Sequence, residues 1–457
     1  MIGALSRLAK TVGFIGGFVV NVTLFAATTR ILDVSKAGVL GDGVTNNTAR
    51  IQKLIDDEAA TGGATLYFPA GRYLTGSIEI KSNVTLRLDE QATLLGSTNP
   101  TDYRNFDPFI DGSGNRLGDA LIVAVNADHV GIEGRGTIDG RGPQLKANER
   151  PYTMRPFLVR WVKCRNVCVR DVHLRNPGAW TLNFYRTEGA LVERVTIRSR
   201  GLGMNNNDGI NIDASEDIHV RDCDVVSGDD ALVIKATSAN TPSRNITATG
   251  CRLSTGTNAI KLGTESIGRF EHISVSNCHI SNARMAGIAL YDVDGGELKD
   301  VTISDVAMDG VAVPISIRLG ARLHAFRERE MRRRMPGRLH HVRIENVSAR
   351  NVGIMGILIN GVPGHPVENL TLANVSIEVP GGGTSADAPV QLPENEKAYP
   401  EYNMFGTRMP VYGVYARHVR HLTLENVKVV PRISDERPAA AIFDGEDVRG
   451  HVISTSR

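Results

Sequence analysis

The sequence predicts an all-β chain wound as a right-handed parallel β-helix and closed at its N-terminal end by a short helix. Three observations carry this. A short motif recurs along the chain, each copy alternates apolar and polar residues, and only one early stretch has helical character.

The recurring motif reads "NVCVRDVHL", "DIHVRDCDV", "NITATGCRL", "HISVSNCHI", "NLTLANVSI" and "HLTLENVKV" in successive copies. Its equivalent positions are Val172, Val195, Cys223, Cys251, Cys278, Val306, Val347, Val375 and Val427, mostly about 23 to 28 residues apart, a spacing that signals a solenoid. Each copy has a period of two, is rich in Val, Ile and Thr, and ends in Gly or Asn turns. One copy cannot bury its own apolar face, so successive coils must stack. Two intervals are longer, with inserts near Ala321–Arg338 and Pro380–Arg417. Charge around Arg327–Arg334 reads as a solvated loop.

A second strand follows in each coil: "DGINID", "DDALVIK", "TNAIKLG", "GIALY", "PISIR" and "GILIN". Alternation along a strand sends Ile210, Leu232, Ile260, Ile288, Ile315 and Ile357 inward, with Ile212, Ile234, Leu262, Leu290, Ile317 and Ile359 as the next inward column. The outward columns are then Asn211, Val233, Lys261, Ala289, Ser316, Leu358 and Asp213, Lys235, Gly263, Tyr291, Arg318, Asn360. The helical piece is "NNTARIQKLIDDEAA", Asn46–Ala60, which opens on a polar cap and is placed to shield the open sheet edge.

At the other level of organisation, residues 1–27 read as a signal peptide or N-terminal anchor, since Arg7 and Lys10 precede an apolar run at Thr11–Ala27. Residues 28–457 then form a single β-helix domain, exported to the periplasm or secreted. The five cysteines would ordinarily raise disulfides. Three of them occupy the apolar motif position, so they are expected as buried thiols. Lys+Arg total 52 against 50 Asp+Glu, a balance that gives no reason to expect a nucleic-acid partner.

Chemistry concentrates at "NNNDGINID" (Asn205–Asp213) and "VSGDDALVIK" (Val226–Lys235). Asp208, Asp230 and Asn258 stack at the strand entrances of consecutive coils, with Asp229 beside Asp230. Neighbouring strands lie about 4.8 Å apart, so the carboxylates crowd on what is expected to be an exposed groove. A lone Asp after a turn usually serves local backbone; three together, with Lys235, Lys261, Tyr291 and Arg318 in the same or adjacent coils, point to a site. Glycosidic hydrolysis needs one protonated carboxyl and one ionised carboxylate. Crowding supplies both, because like charges retain a proton. Trp180 and Tyr291 are candidate platforms for sugar rings.

With "NND" and "GDD" on successive coils, the chain resembles the family 28 glycoside hydrolases, the polygalacturonases. The resemblance runs from about Leu32 to near the C-terminus and includes "GRGTIDGRG" and "NPGAWTL". It implies hydrolysis of pectic polysaccharide or oligosaccharide with inversion, without cofactor or metal. It also implies Asp229 as general acid and Asp208 with Asp230 holding the attacking water, and a monomer is expected. The substrate-binding set is Asn206, Lys235, Asn258, Lys261, Tyr291, Arg318 and Trp180. Departures are as informative. The family's G-H-G is "GTNA", so Asn258 stands at the His position. Its R-I-K is Ala289–Tyr291, and Asn211 replaces a frequent Asp. A rhamnogalacturonan or other side-chain linkage, and exo action enforced by the inserts, are therefore open, with Lys261, Lys235 or Arg318 as carboxylate ligands. Two rival readings remain: a calcium-dependent polysaccharide lyase and a non-catalytic glycan-binding β-helix.

Overall fold

Cys278, Val306, Val347, Val375 and Val427 stand in register across five parallel strands, as the repeat predicts. The residue before each of these motif positions has a left-handed backbone: Asp171, Arg194, Asp222, Gly250, Asn277, Asp305, Asn346, Asn374 and Asn426, with φ from 51° to 68°. That conformation is costly for most side chains and tolerated by Gly, Asn and Asp, which explains the recurrent Asn/Asp/Gly in the sequence. The Asn side chains also ladder from coil to coil: Asn346 Nδ2 donates to Asp305 at 3.0 Å, Asn374 to Asn346 at 3.2 Å and Asn426 to Asn374 at 3.0 Å. Arg194 is the exception, and its guanidinium is held by Asp171 at 2.7 and 3.2 Å.

The computed structural model describes residues 30–454 apart from 112–113, 147–148, 150, 326–332 and 407–408, together with the backbone of Val12–Ile15 and Phe18–Asn21. Those two short strands pair antiparallel. The leader expected over residues 1–27 otherwise lies outside the described residues, as does most of the arginine-rich loop. Among the described residues no helix is long and apolar enough to cross a membrane.

The architecture is the expected right-handed parallel β-helix, a network of 34 strands around one continuous apolar core running from Val34 to Val429. Both predicted inward columns pair in register, Ile210 with Leu232, Ile260, Ile288, Ile315 and Ile357 in turn. Burying each such side chain stabilises by about 1.5–3 kcal/mol. All five cysteines are free, and Cys223, Cys251 and Cys278 are buried at the motif position.

The helix spans Thr48–Ala60. Asn46 caps it by accepting the Thr48 amide at 3.0 Å. Ile51 and Ile55, four residues apart on one face, are fully buried. Gln52 then pairs with the exposed edge itself, accepting the Glu79 amide at 2.7 Å and donating to its carbonyl at 3.0 Å. A side chain thus completes hydrogen bonds that a further coil would otherwise make.

Two excursions cover the outward face. On the N-terminal side a hairpin, Arg104–Ile110 against Arg116–Val125, brings Phe109 onto Phe157 and Trp180. On the C-terminal side the insert after Val379 folds back, and Leu392, Phe405, Met409 and Val411 pack on Val313, Met355, Leu358 and Tyr415. The outward column from Asn211 through Val233, Lys261, Ala289, Ser316 and Leu358 is consequently buried. The groove expected from the sequence is instead flanked by both excursions, the hairpin packing on Trp180 beside Lys235 and the insert reaching Lys261 and Asn258.

Candidate active site

Backbone pairing places the three entrances on top of one another: Gly209 donates to the Asp230 carbonyl at 2.8 Å and Ala231 to the Asn258 carbonyl at 3.0 Å. Asn207 fixes the first entrance, its buried amide donating to the Ser199 carbonyl while Ser199 Oγ donates back to the Asn207 carbonyl at 2.8 Å. The glycine of "GDD" is needed for this close approach. A Cβ on Gly228 would lie 2.3 Å from Asn207 Oδ1.

Asp230 is the most heavily supported carboxylate. Its Oδ2 accepts from Lys261 Nζ at 2.8 Å, and its Oδ1 from Asn258 Nδ2 at 3.0 Å and Thr257 Oγ1 at 2.9 Å. Asp229, partly exposed, accepts the Asp230 amide at 2.9 Å, Thr257 Oγ1 at 3.0 Å and the Asn206 amide at 3.1 Å. Asn206 therefore serves through its backbone, and Arg155 holds its side-chain oxygen at 3.0 Å. Asp208 is buried and shares none of these donors.

These surroundings separate the acids. Burial would raise Asp230, but the adjacent Lys261 ammonium and its hydrogen bond outweigh it and hold Asp230 below the ordinary aspartate value. Asp229 is pushed up, by burial first and then by the charge of Asp230. Asp208 is pushed well up, by burial and then by Asp229. A carboxyl pushed toward its protonated form thus stands beside one held toward its ionised form, the pairing that acid–base cleavage requires.

Lys235 joins the site through an irregularity the sequence conceals. The pairing between the coils slips after Ile234–Leu262 and resumes at Ala236–Ser266. Glu265 rather than Gly263 consequently meets Lys235, at 3.3 Å. Lys235 is also capped by the Trp180 ring, 4.1 Å from its centroid. Trp180 is buried, stacked on Phe157 at 5.0 Å, and so forms a wall.

Tyr291 and Arg318 are both buried, Arg318 bonded to the C-terminal insert and Tyr291 within the field of Glu401, Lys261 and Asp230. Tyr291 is fully buried and donates to Ser316 at 3.1 Å; Arg318 donates to the Gly361 carbonyl at 3.0 Å and the Glu394 carbonyl at 2.8 Å. The insert brings two groups that sequence spacing does not associate with the aspartates. Glu401 Oε1 accepts from Asn258 Nδ2 at 3.1 Å and lies 3.7 Å from Lys261 Nζ. Tyr399 lies with its ring 5.6 Å from Lys261 and its hydroxyl 3.0 Å from Thr264 Oγ1, yet is 49 % exposed. It is the aromatic face available at the mouth, in place of Trp180 and Tyr291. Both belong to the insert near Pro380–Arg417 that interrupts the repeat.

Comparison with known proteins identifies the family. The sequence signature of "Glycosyl hydrolases family 28" matches residues 60–395. A probable polygalacturonase of Vitis vinifera is 27% identical over 366 residues, covering 75% of this chain and 73% of the relative. An endo-polygalacturonase of Pectobacterium carotovorum subsp. carotovorum is 27% identical over 340 residues, covering 68% and 81%. The solved family 28 exopolygalacturonase of Yersinia enterocolitica shares the fold with a TM-score of 0.71 at 18% identity, covering 93% of this chain and 78% of that one. With a family match spanning most of its length, the chain belongs to the glycosyl hydrolases of family 28.

Proposed function

We propose that the protein is an exo-acting, inverting hydrolase of pectic oligosaccharide or polysaccharide, with Asp229 as general acid and Asp230 as general base. The observation that carries the roles is the unequal support of two adjacent carboxyls, one paired with Lys261 at 2.8 Å and the other not. Asp229 gives its proton to the glycosidic oxygen as the bond to the anomeric carbon breaks. A water between Asp208 and Asp230 attacks the opposite face of that carbon and leaves its proton on Asp230. Asp208 and Asp229 share one proton, as crowded carboxyls do. With that proton on Asp229 the repulsion from it disappears, and Asp208 ionises within the field of Lys235.

The flanked groove supports exo action, because a glycan can enter between the hairpin and the insert by its end, with Tyr399 at the mouth as a stacking face. The calcium-lyase reading is disfavoured by Lys261, whose ammonium sits against Asp230 where a divalent ion would need that carboxylate. Secretion or a periplasmic location follows from the leader pattern, and a monomer remains the proposed state. The test is release of reducing ends from a pectic panel, lost in Asp229→Asn.

A further inference from the structure

Glu401 occupies the place in this pocket where an acidic sugar would otherwise find its cation. Its carboxylate arrives from the C-terminal insert and takes Asn258 Nδ2 at 3.1 Å and the field of Lys261 at 3.7 Å. The buried cations around the pocket are already engaged, although the exposed Arg284, whose neighbour Met285 donates its amide to the Thr257 carbonyl at 3.0 Å, is not among them. Lys235 is with Glu265, Lys261 with Asp230, Arg322 with Asp294 at 2.9 Å, Arg155 with Asn206, and Arg318 with two backbone carbonyls. Five carboxyl groups (Asp208, Asp229, Asp230, Glu265 and Glu401), two of them sharing one proton, thus face Lys235, Lys261 and Arg322, the last already paired with Asp294. A further carboxylate brought in beside Glu401 by a substrate would meet like charge.

The second oxygen of Glu401 adds an independent sign. Oε2 is buried and has no hydrogen-bond partner, an expensive state for a carboxylate oxygen. It needs a donor. A uronate carboxylate offers only acceptors, whereas a hydroxyl of a neutral sugar donates. Asn211, on the same outward column, likewise has both amide atoms buried and unpartnered.

We propose that Glu401 is a specificity-determining residue that fills the carboxylate position beside Lys261, so that the sugar bound there is neutral and donates a hydroxyl to Glu401 Oε2. This rests on the hydrolase reading for the location of the sugar. The selectivity belongs to the insert, since the coils supply the acids and the insert supplies the group that excludes a uronate.

The experiment uses the full chain carrying Asp229→Asn, titrated calorimetrically with an oligogalacturonide and with the same oligomer after chemical reduction of its carboxylates to hydroxymethyl groups. The reduced oligomer is expected to bind at least about tenfold more tightly. Adding Glu401→Gln, which keeps the shape and removes the charge, is expected to bring the two affinities together, with Glu401→Ala as a second variant and a melting curve for each. Equal or tighter binding of the acidic oligomer, or a ratio unmoved by both Glu401 variants, overturns the proposal, as does failure of the reduced oligomer to bind. Hydrolysis of the same two oligomers by the unmodified protein tests the hydrolase reading separately. Cleavage with a preference for the acidic oligomer would sink the inference and leave that reading standing.

Discussion

Lys261 Nζ lies 2.8 Å from Asp230 Oδ2 and both side chains are buried, so each is the main compensation for burying the other. Removing the lysine leaves an unpaired buried carboxylate, which costs about 3–5 kcal/mol. Lys261→Met is expected to lower the melting temperature markedly near neutral pH. It is also expected to reduce kcat by about a hundredfold or more, because Asp230 then resists ionising. The stability effect has a definite sign with pH. Asp230 is held below 3.8 in the native protein, so the stabilisation is present above that value and is lost as pH falls through the native pKa. Melting curves of both proteins should therefore converge in acid.

The pH–rate profile should be a bell whose limbs belong to the coupled cluster. Its acid limb lies low, since Asp230 ionises below 3.8, and its alkaline limb lies above 3.8, since Asp229 is raised. Thr257 donates to one or other of these carboxylates, and such bonds favour the ionised form. Thr257→Val is thus expected to move both limbs to higher pH, measured on kcat/KM. A profile displaced to lower pH would reverse the sign of this argument.

Gly228→Ala would put a methyl 2.3 Å from the buried Asn207 amide. Overpacking of this kind costs about 1–3 kcal/mol, and the displaced turn carries Asp229. A drop in melting temperature accompanied by loss of activity is expected, with thermal unfolding and initial rates as the readout.

Tyr399 is the accessible ring at the pocket mouth. Tyr399→Ala should raise KM more than it lowers kcat, because stacking there aids binding of a sugar remote from the bond that breaks. A change confined to kcat would place Tyr399 in the chemistry instead.

End-on entry makes a prediction about polymer. On a soluble pectic chain, reducing ends should accumulate well before viscosity falls. Rapid loss of viscosity at low conversion would show internal cleavage and a pocket that opens.

The β-helix was legible because its rule is local. Period-two alternation and the left-handed Asn/Asp/Gly corner repeat in every coil, so both inward columns and the stacking of Asp208, Asp230 and Asn258 follow from the sequence. What escaped is what the repeat does not encode. The slip after Leu262 exchanges Gly263 for Glu265 opposite Lys235, and nothing in the period announces it. Glu401 and Tyr399 reach Lys261 from an insert far along the chain, whose path depends on where Leu392 and Phe405 find apolar partners. The same fold leaves Tyr291 and Arg318 buried rather than facing an open groove.

The measurement that tests the central claim most directly is a comparison of the protein with Asp229→Asn on a panel of pectic oligosaccharides in chelator, following reducing ends and ultraviolet absorbance together. The assignment of Asp229 as acid beside an ionised Asp230 predicts new reducing ends without absorbance, reduced by about a thousandfold or more in the variant. Undiminished hydrolysis by Asp229→Asn, or a product that absorbs as an unsaturated sugar, would contradict it.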